Sequence, residues 1–375
     1  MKLLKKLPGL KFDPVLTAAW ILAVISAFFV KPSKEYLGYI DWRSLGILWS
    51  LMVIIHGFRE NAIFEKIAEV LLRKVKCGWQ LAAVLIFMCF FGSMLITNDV
   101  ALITFVPFAM MILHSCKRDD MMIMVVVLQT IAANLGSMFT PIGNPQNLYI
   151  YGLTGMKITE FAATMFPYTA LAAVMLCVSL ITLPEKNKEI AVGDDFHLVK
   201  EFGSIKQIVI YTILFIMALL TVLRVIPWYV LAVAVLVIVA GMDYKIVLQA
   251  DYILLLTFIG FFIFTGNMGR IAGIKSFLQS VVSNREFLVS VITSQFISNV
   301  PATLMLSDFA NDYKELLAGV NVGGLGTLIA SMASLISYKA YTAENKEKSG
   351  KYFILFTVMN LLFLAVMLIM HMVIA

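Results

Sequence analysis

A hydrophobic run broken at its middle limits this chain more than any other feature. From Met121 to Ala133 the residues read as one apolar helix. Then Asn134-Leu-Gly-Ser-Met-Phe-Thr-Pro-Ile-Gly-Asn-Pro-Gln-Asn-Leu148 brings Gly136, Pro141, Gly143 and Pro145 close together. Glycine makes helical backbone costly and proline removes one of its hydrogen bonds. The whole run is long enough to cross a bilayer, where open backbone survives only if protein or a water-filled cavity satisfies it. One such break is most simply a kink or a helix end. A second copy argues for more: Asn321-Val-Gly-Gly-Leu-Gly-Thr-Leu-Ile-Ala-Ser-Met-Ala-Ser-Leu335 matches Asn-x-Gly at 134–136 with Asn-x-Gly at 321–323, and places a Leu at the same distance beyond the Asn. Paired interrupted segments in the two halves of a chain point to a transporter binding site.

Composition sets the class. With 61% hydrophobic and 14% charged residues and a mean hydropathy of +0.92, the chain is an all-α polytopic membrane protein whose first partner is the lipid bilayer. Its net charge of +6 does not indicate nucleic acid, because the basic residues lie in short blocks between apolar runs, as topology signals do. The apolar stretch Val15 to Val30 after the basic Met1–Lys11 is too long for a signal peptide and lacks a cleavage site, so it reads as a retained first span. Cys77, Cys89, Cys116 and Cys177 have neither metal-like nor redox-like spacing, and no cofactor is expected.

Taken in order, the first half offers spans at 14–30 and 42–57, then an amphipathic stretch, Phe58 to Lys76, suited to the membrane interface. A hairpin over about 79–115 follows, with the polar tip Thr97-Asn98-Asp99, then the broken helix 121–150 and a span at 161–183. The hydrophilic segment 184–206 divides the chain into 1–183 and 207–375. The second half repeats the order: spans at 207–224, 227–241 and 252–266, an amphipathic stretch Asn267 to Asn284, a hairpin over about 286–315 with the tip Ser298-Asn299-Val300, the broken helix 317–338, and a last span at 353–374. That gives about 9 full spans and 2 re-entrant hairpins. Lys2, Lys5, Lys6 and Lys11 put the N-terminus in the cytoplasm. With one hairpin per half, the basic 59–76, 117–118, 184–206 and 339–351 segments fall on that side and the C-terminus outside. The second half is then an inverted copy of the first.

Gly136-Ser-Met-Phe-Thr-Pro-Ile-Gly-Asn-Pro-Gln-Asn147 resembles the glycine-rich signature of the ion transporter superfamily, and Ser298-Asn-Val-Pro-Ala-Thr303 resembles its second hairpin motif. That superfamily includes citrate-like and dicarboxylate permeases, arsenite permeases and a sodium/proton antiporter branch. The resemblance covers nearly the whole chain. It implies a homodimer with a scaffold and a moving transport domain, an elevator, with substrate held between two hairpin tips and two broken helices and a coupling ion beside each tip. Carried onto this sequence, the substrate residues are Asn98, Thr140, Pro141, Gly143, Asn144, Asn299, Thr303 and Thr327. The coupling-ion residues are Thr97, Asp99, Asn134, Gly136, Ser137, Ser298, Asn321, Gly323 and Gly324. Dicarboxylate members usually carry Ser-Asn-Thr at both tips, and many relatives have a small hydroxyl residue and a proline where Asn144 and Gln146 stand here. Asp99 is closer to what arsenite permeases show.

The chemistry suits a small anion. No Lys or Arg lies in a predicted span near these motifs, so recognition would rest on helix N-termini, amides, hydroxyls and a bound cation, Na+ being the only metal expected. A carboxylate at the depth of Asp99 costs about 2.5–3.5 kcal/mol and needs a cavity and a partner. It serves either as the site where H+ and a cation compete or as a helix N-cap. Asp41 and Asp251, at the entrances of spans, read as interfacial caps. The expected function is secondary transport of a small carboxylate or oxyanion across the cytoplasmic membrane, coupled to Na+ or H+. The alternatives are arsenite or antimonite efflux, Na+/H+ antiport, a passive channel and a membrane-embedded enzyme. HExxH, GxSxG and P-loop motifs are absent, which argues against an enzyme.

Overall fold

A computed structural model describes residues 13–73, 75–190 and 202–374. The N-terminal lysines, Lys74 and most of the acidic part of the linker lie outside the described residues. The first half comprises α1 (Pro14–Phe29), α2 (Tyr36–Tyr39), α3 (Trp42–Glu60), α4 (Ile63–Leu72), α5 (Gly78–Ile96), α6 (Asn98–Ser115), α7 (Met122–Ser137), α8 (Pro145–Thr154) and α9 (Ile158–Ser179). The second comprises α10 (Ile205–Val222), α11 (Trp228–Leu248), α12 (Tyr252–Arg270), α13 (Ala272–Val282), α14 (Glu286–Ile297), α15 (Asn299–Leu306), α16 (Tyr313–Val322), α17 (Met332–Glu344) and α18 (Ser349–Ile374). Among the described residues there is no β-strand. Among the described residues, seven helices are long and apolar enough to cross a membrane, and the α3–α4 pair, bent by 56°, would make an eighth. The protein is a multi-pass, all-α membrane protein.

Helix starts follow local chemistry. Asp13 accepts from the amides of Val15 and Leu16 to cap α1, with Pro14 at the first helical position. Asp41 and Asp251 cap α3 and α12 through the amides of Ser44 and Leu254, as their positions before apolar runs indicate. Asp312 caps α16 through Lys314 and Glu315, so this helix begins at Tyr313 rather than 317, and α17 runs on to Glu344 rather than 338. The reason is that a hydrophobic run marks where a helix is buried, whereas polar caps mark where it begins. The second hairpin correspondingly closes at Leu306, short of 315.

Length alone would let α5 and α6 each span the membrane. Their outer ends meet on one face. A Cβ on Gly78, at the start of α5, would lie 2.2 Å from the guanidinium of Arg118, just past the end of α6. Arg118 is buried, pairs with Asp120 and donates to the carbonyl of Pro184 at 2.8 Å. Its guanidinium holds the Asp120 carboxyl below the usual carboxylate range. The pair folds back on itself, with both ends at one level. In the other half α14 and α15 have 12 and 8 residues, about 18 and 12 Å long, far short of the ~30 Å hydrocarbon thickness. Glu286 at the start of α14 accepts from the amides of Asn311 and Asp312 beyond α15, which closes this hairpin too.

Contacts between loops sort the helix ends onto two faces. One face joins Gly203 to Asn61 and residues 184–190 to the foot of α5. The opposite face joins Glu35 to Arg270, Glu160 to Lys314, Glu315 to His371, and Arg224 to the carbonyls of Tyr151 and Gly155. Within the bundle, α1 packs on α12, and α3 packs on α10 and α11, while α5–α9 with α14–α18 form a larger group. They meet along α3/α8 and α12/α15. Helix α7 is the centre: nearly every residue from Met122 to Ser137 is buried, whereas only 28% of the apolar window of α10, α11 or α18 is covered, leaving the rest for lipid.

Candidate functional site

Each hairpin turns on one residue. Thr97 separates α5 from α6 at φ 69°, ψ 151°, and Ser298 separates α14 from α15 at φ 73°, ψ 153°. That region belongs almost entirely to glycine, so both tips hold about 1–3 kcal/mol of backbone strain. The next residue does the same work in both: Asn98 donates its backbone N–H to the carbonyl of Gly143 at 3.0 Å, and Asn299 to that of Ala330 at 2.9 Å. Each Asn side-chain oxygen then accepts the following amide, from Asp99 and Val300, at 3.0 Å.

The breaks lie where the tips arrive. The first runs from the end of α7 at Ser137 to Pro145, the second from the end of α16 at Val322 to Met332. A reciprocal amide network joins them. Asn134 Oδ1 accepts from Asn98 Nδ2 at 3.2 Å and Ser331 Oγ at 3.0 Å, and its Nδ2 donates to Ser334 Oγ at 3.3 Å. Asn321 Oδ1 accepts from Asn144 Nδ2 at 3.0 Å, and its Nδ2 donates to Asn147 Oδ1 at 2.7 Å. Asn144 and Asn147 follow Asn134 at the same offsets as Ser331 and Ser334 follow Asn321. Thus each break's own asparagine reaches across to the other break.

The match extends into the hairpin arms. Thr140 donates its hydroxyl to the carbonyl of Met94 at 2.5 Å, and Thr327 to that of Gln295 at 3.0 Å. A Cβ on Gly136 would sit 2.8 Å from Ser93 Oγ, and one on Gly323 2.9 Å from Ser294 Oγ. These two glycines are where a helix lies directly on a hairpin arm.

Of the residues singled out in the sequence, Asn98, Thr97, Asn134, Gly143, Asn144, Thr140 and Ser137 gather at the first tip and break. Ser137 Oγ accepts from Asn144 Nδ2 at 3.2 Å. Ser298, Asn299, Asn321, Gly323, Gly324 and Thr327 gather at the second, where a Cβ on Gly324 would lie 3.0 Å from Asn299 Nδ2. Pro141 is buried in the first break. Thr303 is fully buried on α15 and donates to the carbonyl of Asn299 at 2.7 Å, inside its own helix. Asp99 is no N-cap. α6 has no side-chain cap, and among the described residues the Asp99 carboxylate accepts no hydrogen bond. Ser331, Ser334, Ser93, Ser294 and Gln295 escaped the reading of the sequence. Equal offsets from Asn134 and Asn321, or from the two tips, were the signal that could have found the serines.

Chemically, the starts of α6, α8, α15 and α17 meet around this network, and each offers the positive end of a helix. Together with amides and hydroxyls, and with no basic side chain in the network, this is a setting for a small anion with a cation beside it. Two clefts lie away from the network. One of about 660 Å³ is lined by His114, Asp119, Tyr341 and Lys348, and one of about 410 Å³ by Asp41, Tyr149, Gly152, Thr265 and Asp308, beside α3, α8 and α12.

Hairpin tips seated on broken helices inside a many-helix membrane bundle define a membrane transporter. The chain belongs to the citrate transporter family, which matches residues 8–314. It is similar to an uncharacterized transporter of Methanocaldococcus jannaschii, 33% identical over 308 residues, covering 81% of this chain and 82% of that one. It is also similar to the inner membrane protein YbiR of Escherichia coli, 29% identical over 348 residues, 90% of this chain and 89% of that one. A silicon efflux transporter of rice is 27% identical over 164 residues, 43% of this chain and 33% of its own length.

Proposed function

We propose that this protein is a secondary active transporter, not an enzyme, that moves a small carboxylate or inorganic oxyanion across the cytoplasmic membrane, coupled to Na+ or H+. The reciprocal network of Asn134, Asn144, Asn147, Asn321, Ser331 and Ser334 carries this reading. It draws four helix starts together at the middle of the bundle, and a desolvated anion needs such fixed dipoles in place of water. Residues 1–183 and 207–375 act as inverted repeats joined by the linker 184–206, with the N-terminus cytoplasmic and the C-terminus outside. The group of α1, α3 and α10–α12 serves as scaffold in a homodimer, and the hairpin-bearing group moves against it as an elevator. The seam supports such sliding: Gly152 on α8 lies so close to Ser44 on α3 that a Cβ would be 2.9 Å from the serine oxygen.

A second reading, efflux of arsenite or antimonite or Na+/H+ antiport, is favoured by Asp99, a carboxylate at the first tip with no hydrogen-bond partner among the described residues. One experiment separates them. Proteoliposomes are given labelled citrate, succinate, sulfate or arsenite under separate Na+ and pH gradients. Anion uptake driven by a cation gradient supports the symporter, whereas arsenite movement or Na+-dependent proton flux without anion uptake transfers the case to the second reading.

A further inference from the structure

The two tips are not fastened in the same way. At the second, the side chain of Gln295, one turn before the tip, is fully engaged. Its Nε2 donates to the carbonyls of Gly323 and Leu325 at 3.0 Å and of Val291 at 3.1 Å, and its Oε1 accepts the amide of Thr327 at 3.0 Å. A donor surrounded by three carbonyl oxygens stands where a small cation would be coordinated, and it ties hairpin and break together without one. The equivalent residue before the first tip is Met94, which has no N–H to donate. There the break carbonyls of Ser137, Met138 and Thr140 accept instead from Asn147 Nδ2, a residue of α8. The first break is therefore braced to its own helix; among the described residues its hairpin tip is tied to it through Asn98 and Thr140, while Gln129 on α7 holds the hairpin arms through the carbonyls of Leu85 and Phe105. The charge differs in the same sense: the first tip carries Asp99, the second the apolar Val300.

We infer that Gln295 is a positioning residue whose carboxamide replaces a cation at the second tip, so that ion coupling resides at the first tip alone. This rests on the transporter reading and departs from its expectation of an ion beside each tip. The second hairpin stays docked whatever the ion concentration. The first, with fewer bonds at its tip and a carboxylate beside it, docks fully when its charge is balanced. One coupling cation then accompanies each cycle.

Hydrogen–deuterium exchange on the whole protein in detergent tests this without knowledge of the substrate, at one pH with NaCl or choline chloride. Exchange in residues 93–104 is expected to slow with Na+ or with Asp99→Asn, and exchange in residues 294–305 to respond to neither. Gln295→Met, which copies the first half, should speed exchange in 294–305 by roughly tenfold, about one or two lost hydrogen bonds. The near-isosteric Gln295→Glu should make that segment respond to Na+, because a carboxylate beside two carbonyls can hold the ion. Na+ protection of 294–305 in the unaltered protein would overturn the inference, as would indifference of both tips to Na+ and Asp99→Asn, or an unchanged 294–305 segment in Gln295→Met. The comparison of the two tips needs no Gln295 variant to fold. Failure of the transport reading itself would show separately, as absence of flux in the liposome panel.

Discussion

The first and second halves of this chain build the same junction from different residues. Both use a strained tip, an Asn whose backbone N–H meets the break of its own half, a Thr hydroxyl on a hairpin carbonyl, and a glycine beneath a hairpin serine. They differ in what fills the carbonyls of the break, Asn147 from the following helix in one and Gln295 from the hairpin in the other, and in the charge one residue past the tip Asn. The difference teaches that the geometry of such a junction can be kept while its mobility and its ion requirement are redistributed.

The comparison breaks most visibly at the tip asparagines. Asn98→Ala and Asn299→Ala each leave buried partners unsatisfied and are expected to cut transport between about tenfold and 100-fold at ordinary expression. Wild-type flux in both variants would remove the two-tip site. Asp99→Asn is expected to change the Na+ or pH dependence of flux more than its maximal rate, and identical ion profiles for variant and wild type would exclude a coupling role for that carboxylate.

Stability sharpens the contrast between the glycines. A Cβ on Gly136 would sit 2.1 Å from the backbone carbonyl of Phe90, which cannot swing aside, whereas on Gly323 the nearest hairpin atom is the serine oxygen at 2.9 Å. Gly136→Ala should therefore cost about 1–3 kcal/mol and Gly323→Ala less, read as the difference in thermal unfolding of the purified variants. Equal losses would mean that the two hairpins press on their helices alike. The smallest effect belongs to the threonines. Thr140→Val removes a tie at the first tip and should destabilise by about 1 kcal/mol. Thr327→Val should do less, because its amide still binds Gln295. The reverse order in a denaturation series would contradict the looser docking of the first hairpin.

Much of the architecture was legible in the residues. Hydrophobic periods placed α1, α3, α9–α12 and α18 close to their bounds, because a span must be apolar over a length set by the bilayer. Aspartates before apolar runs marked the starts of α3 and α12. Glycine and proline marked the breaks, and matching Asn134 to Asn321 put the two breaks in register. Less legible were polar residues in polar surroundings. Ser331 and Ser334 have no helix-breaking neighbour like Pro145 to announce them, and Gln295 looks like any polar residue on a hairpin arm.

The sequence by itself determined that the chain enters a membrane, that two of its long helices are interrupted, and that the interruptions share one pattern, because these follow from the cost of polar groups and open backbone in hydrocarbon. Only the tertiary structure decided which donor meets which carbonyl. It showed that the outer ends of α5 and α6 are tied together, since that depends on Arg118 meeting Gly78. It also showed that Asp99 caps no helix, and that Gln295 fills the second break, which depends on packing bringing positions 295 and 327 together.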